Sequence, residues 1–453
     1  MHNRLVIIGA AGDLTSRYLL PALARLRNDG LLPETFAIDA VSRDEMSDDE
    51  YRRSVEGPLA THAAGVEESA RTAILQSITY HRADATDPEA LRRIFSGGKG
   101  PIVNYLALPP AVFHPVVKAI IEAGAGAESR IVVEKPHGGG LESTRTLNRL
   151  LHRCFPEESV FRIDHFLGHQ TVQNLLGIRF GNRIFEPLWN SNHVERVEIR
   201  FDETLALEGR AGYYDHTGAL KDMLQNHLLQ LLCFVAMEPP LGFNERDLRD
   251  RKVDLLRAVR SPSQKEIETS SVRAHYTAGN VDGKKVPSYH DEEGVDPKRG
   301  TETFAQIVLP IDNWRWAGVP FILRSGKALE RNRQEILIKF RDVPYHAFGK
   351  EKPPGPNVLR LAFEPDRMAL DLNLNGAGDP FELEPTSLEL ELAPQQLPAY
   401  ARLLLDVLSG DPTLSIRADD AEESWRIVEP VVDAWNKGLV PMRSYPAGSS
   451  FEP

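Results

Sequence analysis

The first 160 residues alternate between short apolar runs of β-type composition and segments of helical periodicity, and this alternation constrains the fold more than any other feature. Predicted strands cover residues 4–8, 35–41, 77–81, 102–107, 131–133 and 160–163, and the helical segments between them include 88–95, 111–123 and 141–154. Strands that alternate with helices in this way form a parallel sheet covered on both faces. The sequence therefore predicts a doubly wound α/β domain whose ligand lies beyond the carboxyl ends of the strands.

A glycine-containing turn, GAAGDL at residues 9–14, follows the first predicted strand, and a helical pattern of leucines follows the turn. A strand, a glycine turn and a helix in this order let backbone N–H groups approach a pyrophosphate at the helix N-terminus. The alternative is an ordinary turn between a strand and a helix. We interpret the turn as part of a dinucleotide site.

The end of the second predicted strand indicates which nicotinamide dinucleotide fits. An acidic residue there pairs with a free ribose 2′-hydroxyl, whereas an arginine accepts a 2′-phosphate. Ser42 and Arg43 can supply a hydroxyl and a guanidinium to the phosphate, with Arg17 as possible help, while Asp39 lies earlier than a ribose ligand should. This pattern favours NADP and leaves NAD possible.

After residue 180, period-two patterns predict half-buried strands at 197–201, 304–309, 336–340, 359–363, 370–374 and 388–392. Because helices are missing between most of them, they indicate a large, mostly antiparallel sheet. Residues 277–300, rich in glycine and mixed charge, are predicted as one long loop. We expect a dinucleotide-binding domain over 1–165 and an α+β substrate and dimerisation domain over 166–453.

The net charge of −12 argues against a nucleic-acid or anionic-membrane partner. No apolar run approaches the roughly 20 residues of a membrane span. Cys154 and Cys233 lie in apolar, helix-like surroundings without a metal-binding pattern, so we interpret them as reduced core residues of a cytoplasmic protein.

The segment RIDHFLGHQTVQN, residues 162–174, lies where a β-type run gives way to a helical one. Asp164 and His165 are thereby placed at a strand end or helix start, where side chains face a crevice and helix N–H groups favour anions. The alternative for Asp164 is a simple helix N-cap.

A strong helical pattern covers residues 219–237 and places His227 on the apolar stripe. A buried histidine needs a hydrogen-bond partner or loses about 1–3 kcal/mol. A satisfied core histidine is the ordinary interpretation, and an aspartate from another segment, such as Asp164, is the functional one.

Ten motifs, in chain order, resemble those of glucose-6-phosphate dehydrogenases. They are GAAGDL (9–14), YLALPP (105–110), EKPHG (134–138), RIDHFLG (162–168), EGRAGYYD (208–215), QNHLLQ (225–230), TETFA (301–305), IDNWRWAGVPF (311–321), LRSGKAL (323–329) and SYPAGS (444–449). Any one of them is weak, whereas the ordered set is highly specific.

The resemblance implies a Rossmann-like N-terminal domain, an α+β C-terminal domain, NADP or NAD as hydride acceptor, no metal, and a homodimer or homotetramer. It implies oxidation of glucose 6-phosphate at C1 to 6-phosphogluconolactone. His227 would be the general base that removes the proton of the 1-hydroxyl, and Asp164 would orient its imidazole.

The resemblance also implies binding roles. Lys135 would bridge a sugar hydroxyl and the nicotinamide, and Glu208 and Asp222 would hold sugar hydroxyls, although either carboxylate could simply be solvated. Pro136, and Pro109 or Pro110, would shape the nicotinamide pocket, for instance through a cis bond. The substrate phosphate would meet His165, His169 and Lys327, and the pyrophosphate would be lined by Gly9, Gly12, Asp13 and Leu14.

Departures from the family pattern bear on the substrate. Phe166 and His169 stand where the family has a tyrosine and a lysine, so a hydroxyl donor and a full cation are lost. His137 replaces a usual phenylalanine and Ser42 a common arginine. Three hypotheses follow: a glucose-6-phosphate dehydrogenase with a weaker phosphate site, the same chemistry on an amino-sugar phosphate or unphosphorylated hexose, and a non-catalytic nucleotide-binding paralogue.

Overall fold

The computed structural model describes residues 1–98, 100–126, 128–348, 355–363, 365–379, 382–393 and 395–452. The chain divides into two compact units, one of residues 1–170, 240–250 and 395–422, the other of 171–239, 251–394 and 423–453. The predicted domains, 1–165 and 166–453, divide the chain differently, and their boundary stays a prediction.

The first unit is built on a six-stranded parallel sheet of strand order β3-β2-β1-β4-β5-β6. Its strands are β1 (Arg4–Ile8), β2 (Ala37–Ser42), β3 (Ile78–Arg82), β4 (Val103–Leu106), β5 (Arg130–Glu134) and β6 (Val160–Ile163). Each predicted strand of this half matches one of them.

Both faces of that sheet are buried, which explains why its strands are continuous apolar runs. Along β1, Leu5 and Ile7 belong to one apolar core, and Val6 and Ile8 belong to another. The doubly wound α/β prediction is confirmed.

Helices occur in both halves of the chain. They are α1 (Leu20–Asn28), α2 (Asp48–His62), α3 (Glu68–Gln76), α4 (Pro88–Ser96), α5 (Phe113–Glu122), α6 (Leu141–Leu151), α7 (Gln170–Gly181), α8 (Ala211–Ala219), α9 (Leu229–Ala236), α10 (Glu245–Ala258), α11 (Gln264–Ser270), α12 (Ala399–Ser409) and α13 (Ala418–Asn436). Two π-helical segments, Thr15–Leu19 and Leu220–Leu228, run directly into α1 and α9.

The second unit contains a nine-stranded sheet of order β16-β15-β14-β13-β7-β12-β11-β8-β17. Its strands are β7 (Val194–Asp202), β8 (Val272–Thr277), β11 (Phe304–Pro310), β12 (Pro320–Gly326), β13 (Arg333–Phe340), β14 (Val358–Phe363), β15 (Asp366–Asn375), β16 (Leu383–Glu391) and β17 (Met442–Pro446). The pairs β7–β12 and β8–β17 are parallel and the others antiparallel, so the mostly antiparallel sheet is confirmed.

The prediction of a long loop over 277–300 is wrong in its first part, because β9 (Gly279–Val281) and β10 (Lys284–Val286) form a hairpin there. Asp282 and Gly283 connect the two strands with φ angles of 47° and 79°. An Asp-Gly pair with both residues at positive φ is a favoured two-residue hairpin turn. Two short 3₁₀ turns, Tyr289–Asp291 and Pro297–Arg299, occupy much of the remainder.

The predicted helix over 219–237 is present, although it is not α-helical throughout. Gly218 interrupts the preceding helix with φ 68° and ψ 170°, and a side chain there would overlap the Glu302 carboxylate. The chain then continues as the π-helical segment and α9. His227 is 1% exposed, which confirms its predicted burial.

Candidate active site

The glycine turn at the end of β1 has the geometry of a backbone cradle. Gly9 has φ +97°, and a Cβ atom at this position would overlap the Ala107 carbonyl oxygen. The Gly9 and Ala10 N–H groups donate to the Val41 carbonyl at 2.9 and 3.0 Å. Gly12 is exposed. The turn therefore fits a pyrophosphate, because it brings bare backbone to a helix N-terminus.

Helical structure begins immediately after this turn and runs from Asp13 to Asn28. Asp13 is exposed and Leu14 is half-buried, so the predicted cofactor residues of the turn lie together at the helix start. Free N–H groups and the helix dipole favour an anion at such a position.

At the end of β2, Asp39 is committed to an internal network. Its carboxylate accepts from Arg4 Nε at 2.7 Å and lies 2.8 Å from His81 Nε2. Burial alone would raise the pKa of Asp39, but the bonds to His81 and Arg4 outweigh it and hold that pKa below its usual value. Asp39 is therefore occupied within the protein, as its early position in the strand suggested.

The predicted 2′-phosphate residues, Ser42 and Arg43, follow directly. Arg43 is exposed, and the Ser42 hydroxyl donates to the Asp44 carboxylate at 3.0 Å. The Tyr80 hydroxyl donates a hydrogen bond to the Asp44 backbone carbonyl at 2.7 Å. Exposed Arg43 and Asp44 thus follow Ser42 at the end of β2, where the ribose edge is predicted to lie.

Lys135 follows the last residue of β5, and its bond to Pro136 is cis. The preceding Glu134 is buried and accepts from the Tyr105 hydroxyl at 2.5 Å. Burial raises the pKa of Glu134 to about 7, although the Tyr105 bond and Lys135 act in the opposite direction. The strand end that carries Lys135 is therefore anchored in the interior of the unit.

Asp164 follows the last residue of β6, and the pairing of Glu134 with Ile163 sets it beside Lys135. Asp164 is 1% exposed, and its Oδ1 accepts from the Phe166 N–H at 2.9 Å. Oδ1 of Asp164 therefore acts as the N-cap acceptor, as the alternative interpretation of this residue predicts. The capped turn, His165–Gly168, is a short 3₁₀ helix.

The predicted phosphate segment presents three aromatic rings close together. The His165 ring centroid lies 5.1 Å from that of Phe166 and 6.5 Å from that of His169. Both histidines are half-buried, whereas Phe166 is 6% exposed. An apolar ring therefore occupies the position where the family pattern has a hydroxyl.

In the second unit, the π-helical segment carries Asp222 and His227. Asp222 is half-buried and its carboxylate accepts from the Tyr213 hydroxyl at 3.3 Å. Asp164 and His227 belong to different compact units, so their pairing stays a prediction.

Lys327 lies just beyond β12, and its Nζ donates to Glu203 Oε2 at 2.7 Å. The same ammonium group lies 5.4 Å from the centre of the Tyr214 ring. Glu208, the predicted sugar ligand, is exposed and has φ +48°. Glu203 is therefore the carboxylate beside the predicted phosphate ligand, and our sequence analysis missed it. Its position just after the strand predicted at 197–201 was the available signal.

A six-stranded parallel sheet with a glycine turn after its central strand defines a dinucleotide-binding protein. Comparison with family models is more specific. Residues 6–174 match the NAD binding domain of glucose-6-phosphate dehydrogenase, and residues 176–452 match its C-terminal domain. The chain belongs to the glucose-6-phosphate dehydrogenase family, which confirms the resemblance seen in its motifs.

Individual relatives agree over nearly the full length. The chain is 40% identical to glucose-6-phosphate 1-dehydrogenase of Treponema pallidum, covering 98% of this chain and 91% of the relative. It is also 40% identical to the Mycolicibacterium smegmatis enzyme, covering 98% and 93%. A solved glucose-6-phosphate dehydrogenase in complex with its substrate glucose-6-phosphate is 32% identical, with a TM-score of 0.89 over 100% of this chain and 96% of that one.

Among the residues that the structure describes, no helix is both long enough and apolar enough to cross a membrane.

Proposed function

We propose that this protein oxidises glucose 6-phosphate at C1 to 6-phosphogluconolactone, with NADP as the hydride acceptor. The observation that carries the proposal is the match to both domains of one enzyme family over almost the whole chain. The chain also keeps Lys135, Asp164, Asp222 and His227 together, which argues against a non-catalytic paralogue.

Proton removal from the sugar is assigned to His227. Hydride leaves C1 easily only as the hydroxyl proton departs, and a positioned base contributes about 10²- to 10⁴-fold to such a step. A histidine that is 1% exposed is shielded from competing water. Asp164 is assigned to fix the tautomer and direction of the imidazole, as a carboxylate does in hydrolase triads.

Sugar and phosphate binding are assigned to polar groups in both units. Lys135 and Asp222 are assigned to sugar hydroxyls, and His165, His169 and Lys327 to the phosphate. Glu208 is assigned to a further sugar hydroxyl, and Glu203, which is bonded to Lys327, is an additional candidate for the same role.

The residues present fit a dinucleotide. The cradle of Gly9 and Gly12, with Asp13 and Leu14 at the helix start, would hold the pyrophosphate, and Ser42 and Arg43 would hold the 2′-phosphate. The bound nicotinamide would supply the hydride-accepting carbon. Asp44, bonded to Ser42, suits a free 2′-hydroxyl, so NAD remains a second cofactor of this proposal.

One specific observation favours the same chemistry on a related sugar. Phe166 is buried and its ring lies 5.8 Å from that of His169, so aromatic surface stands where two phosphate donors are expected. An amino-sugar phosphate or an unphosphorylated hexose is therefore the second candidate substrate.

Association into a homodimer or homotetramer is also proposed. Leu374, Leu388 and Leu390, on the edge strand β16 and its neighbour β15, are 48–59% exposed. Exposed leucines grouped on sheet strands are typical of an interface.

Both cysteines are thiols, which supports the predicted cytoplasmic location. Cys233 is buried, and Cys154 is half-buried and packs against an apolar core of the first unit.

The test is a steady-state panel of glucose, glucose 6-phosphate and amino-sugar phosphates, each with NAD and with NADP. The proposal expects the highest kcat/KM for glucose 6-phosphate with NADP. A higher kcat/KM for another sugar would select the second candidate. Binding of NADP without turnover of any sugar would select the non-catalytic paralogue.

A further inference from the structure

The phosphate segment is held from one side by the chain that leads into α12. Gln395 Nε2 donates to the Gly168 carbonyl at 2.6 Å, and its Oε1 accepts from the Gln170 N–H at 3.1 Å. A Cβ atom on Gly168 would come within 2.8 Å of the Ala399 carbonyl oxygen. Residues 395–400 and 165–170 therefore fit closely together.

Tyr400, near the start of α12, lies among three elements of the candidate site. Its ring is stacked on His165, with centroids 5.6 Å apart and planes at 14°. It also contacts the Tyr18 ring on the helix after the glycine turn, at 5.2 Å and 37°. Burial first, and the nearby Glu134 carboxylate second, raise the pKa of the Tyr400 hydroxyl above its ordinary value.

We propose that Tyr400 is a positioning residue for sugar-phosphate binding, because its ring fixes the plane of the His165 imidazole beside the strand end that carries Lys135. The proposal rests on the proposed function in one respect, namely that His165 contacts the phosphate. A half-buried histidine on a short turn has several rotamers available, and a nearly parallel stacked ring restricts them. The pre-oriented imidazole then binds without losing that freedom.

The contact to Tyr18 gives a matched control. Tyr18 lies against the same ring, but its own side chain is 49% exposed, and no sugar contact is assigned to it. If the contacts among the Tyr18, Tyr400 and His165 rings served only to stabilise the first unit, substitutions at Tyr18 and at Tyr400 would both lower the Tm and leave the KM for the sugar unchanged.

The kinetic test compares Tyr400→Leu, Tyr400→Phe and Tyr18→Leu. Tyr400→Leu is expected to raise the KM for glucose 6-phosphate about 3- to 10-fold, the range that an aromatic pair carries, with little change in kcat. Tyr400→Phe keeps the stacked ring, and Tyr18→Leu keeps the His165 contact, so both should retain the wild-type KM. An unchanged KM in a folded Tyr400→Leu enzyme would overturn the proposal. If that variant fails to fold, Tyr400→Met fills the space without an aromatic face and serves in its place.

A second measurement does not depend on the substrate. Diethyl pyrocarbonate modifies imidazoles, and mass spectrometry of the peptides gives its rate at each histidine. In Tyr400→Leu the rate at His165 should rise severalfold, while the rate at the exposed His114 stays constant. An unchanged rate at His165 would overturn the proposal. A wild-type enzyme that does not oxidise glucose 6-phosphate would instead count against the proposed function, and the modification rates would still test Tyr400.

Discussion

Replacing Gly9 with alanine is expected to abolish tight dinucleotide binding while leaving the rest of the first unit folded. The φ of +97° is unfavourable for any L side chain, and the added Cβ would overlap the Ala107 carbonyl oxygen, which is backbone and cannot rotate away. The turn must therefore move, and the Gly9 and Ala10 N–H bonds to Val41 move with it.

The size of the effect follows from these contacts. The backbone conformation alone costs alanine about 1–2 kcal/mol, and each of the two displaced hydrogen bonds is worth about 0.5–1.5 kcal/mol. The sum is about 2–5 kcal/mol, borne by the turn that is proposed to hold the pyrophosphate. Since each 1.4 kcal/mol is tenfold, NADP affinity should fall by about 30-fold or more.

Two other glycines of the same unit separate these contributions. Gly30 has φ +68° with open space around its Cβ position, so Gly30→Ala carries the conformational cost without an overlap. Gly12 has ordinary φ, and its nearest neighbour would be the Gly9 carbonyl oxygen at 3.3 Å. Gly30→Ala should lower the free energy of unfolding by about 1 kcal/mol without affecting the Kd for NADP. Gly12→Ala should weaken NADP binding less than Gly9→Ala does.

The assay is a fluorescence titration with NADP, combined with urea unfolding of each variant. If Gly9→Ala bound NADP with wild-type affinity, the proposal that the glycine turn holds the pyrophosphate would be refuted. Equal losses of affinity in Gly9→Ala and Gly30→Ala would show that general destabilisation, rather than the turn, is responsible.

Three further predictions concern the sugar site. His227→Ala should abolish turnover with the Kd for NADP nearly unchanged, and an unaltered kcat would remove His227 from the mechanism. His169→Lys should lower the KM for glucose 6-phosphate about 10-fold by restoring a full cation, whereas no change in KM would favour the second candidate substrate. Glu208→Gln and Glu203→Gln should each raise the KM for the sugar about 10-fold where a sugar hydroxyl loses its charged acceptor. An unaltered KM in either variant would remove that carboxylate from the sugar site.

The parallel sheet could be predicted because its strands are buried on both faces and are therefore continuous apolar runs. The strands β8, β12 and β17 were not predicted. In β8, Arg273 and His275 alternate with buried apolar residues, so its period-two signal was present in the sequence and was overlooked. β17 consists of Met442–Pro446, a segment with little apolar alternation, and is recognisable only from its pairing with β8, which lies far away in the sequence.

Two local structural signals that are present in the sequence were also overlooked, a hairpin turn and a helix capping box. The Asp282–Gly283 pair is a hairpin signal, and Ser47 with Glu50 forms the capping box that begins α2. The π-helical segment that carries His227 could not be predicted in the same way. The same residue types form α-helices and π-helices, so the sequence could predict the burial of His227 but not the backbone hydrogen-bonding pattern of its helix.

The candidate site shows the same division between local and distant information. Motifs placed Lys135 and Asp164 at strand ends, and the pairing of β5 with β6 makes those ends adjacent. The contact of Tyr400 with His165 could not be foreseen, because more than 200 residues separate the two. Glu203 belongs to none of the matched motifs, and its ion pair with Lys327 depends on folded geometry.

Asp39 illustrates how the structure decides between two uses of one residue. A carboxylate on the second strand of such a sheet ordinarily pairs with a ribose hydroxyl. Here the carboxylate is buried between Arg4 and His81, and removing it from that pair would leave a buried guanidinium without its partner. Asp39 is therefore part of the scaffold, and the proposal leaves the choice between NADP and NAD to half-buried Ser42 and exposed Arg43 and Asp44. In this proposal the Arg43 guanidinium would favour a 2′-phosphate and the Asp44 carboxylate would oppose it, so Arg43→Ala should shift the preference toward NAD and Asp44→Ala toward NADP.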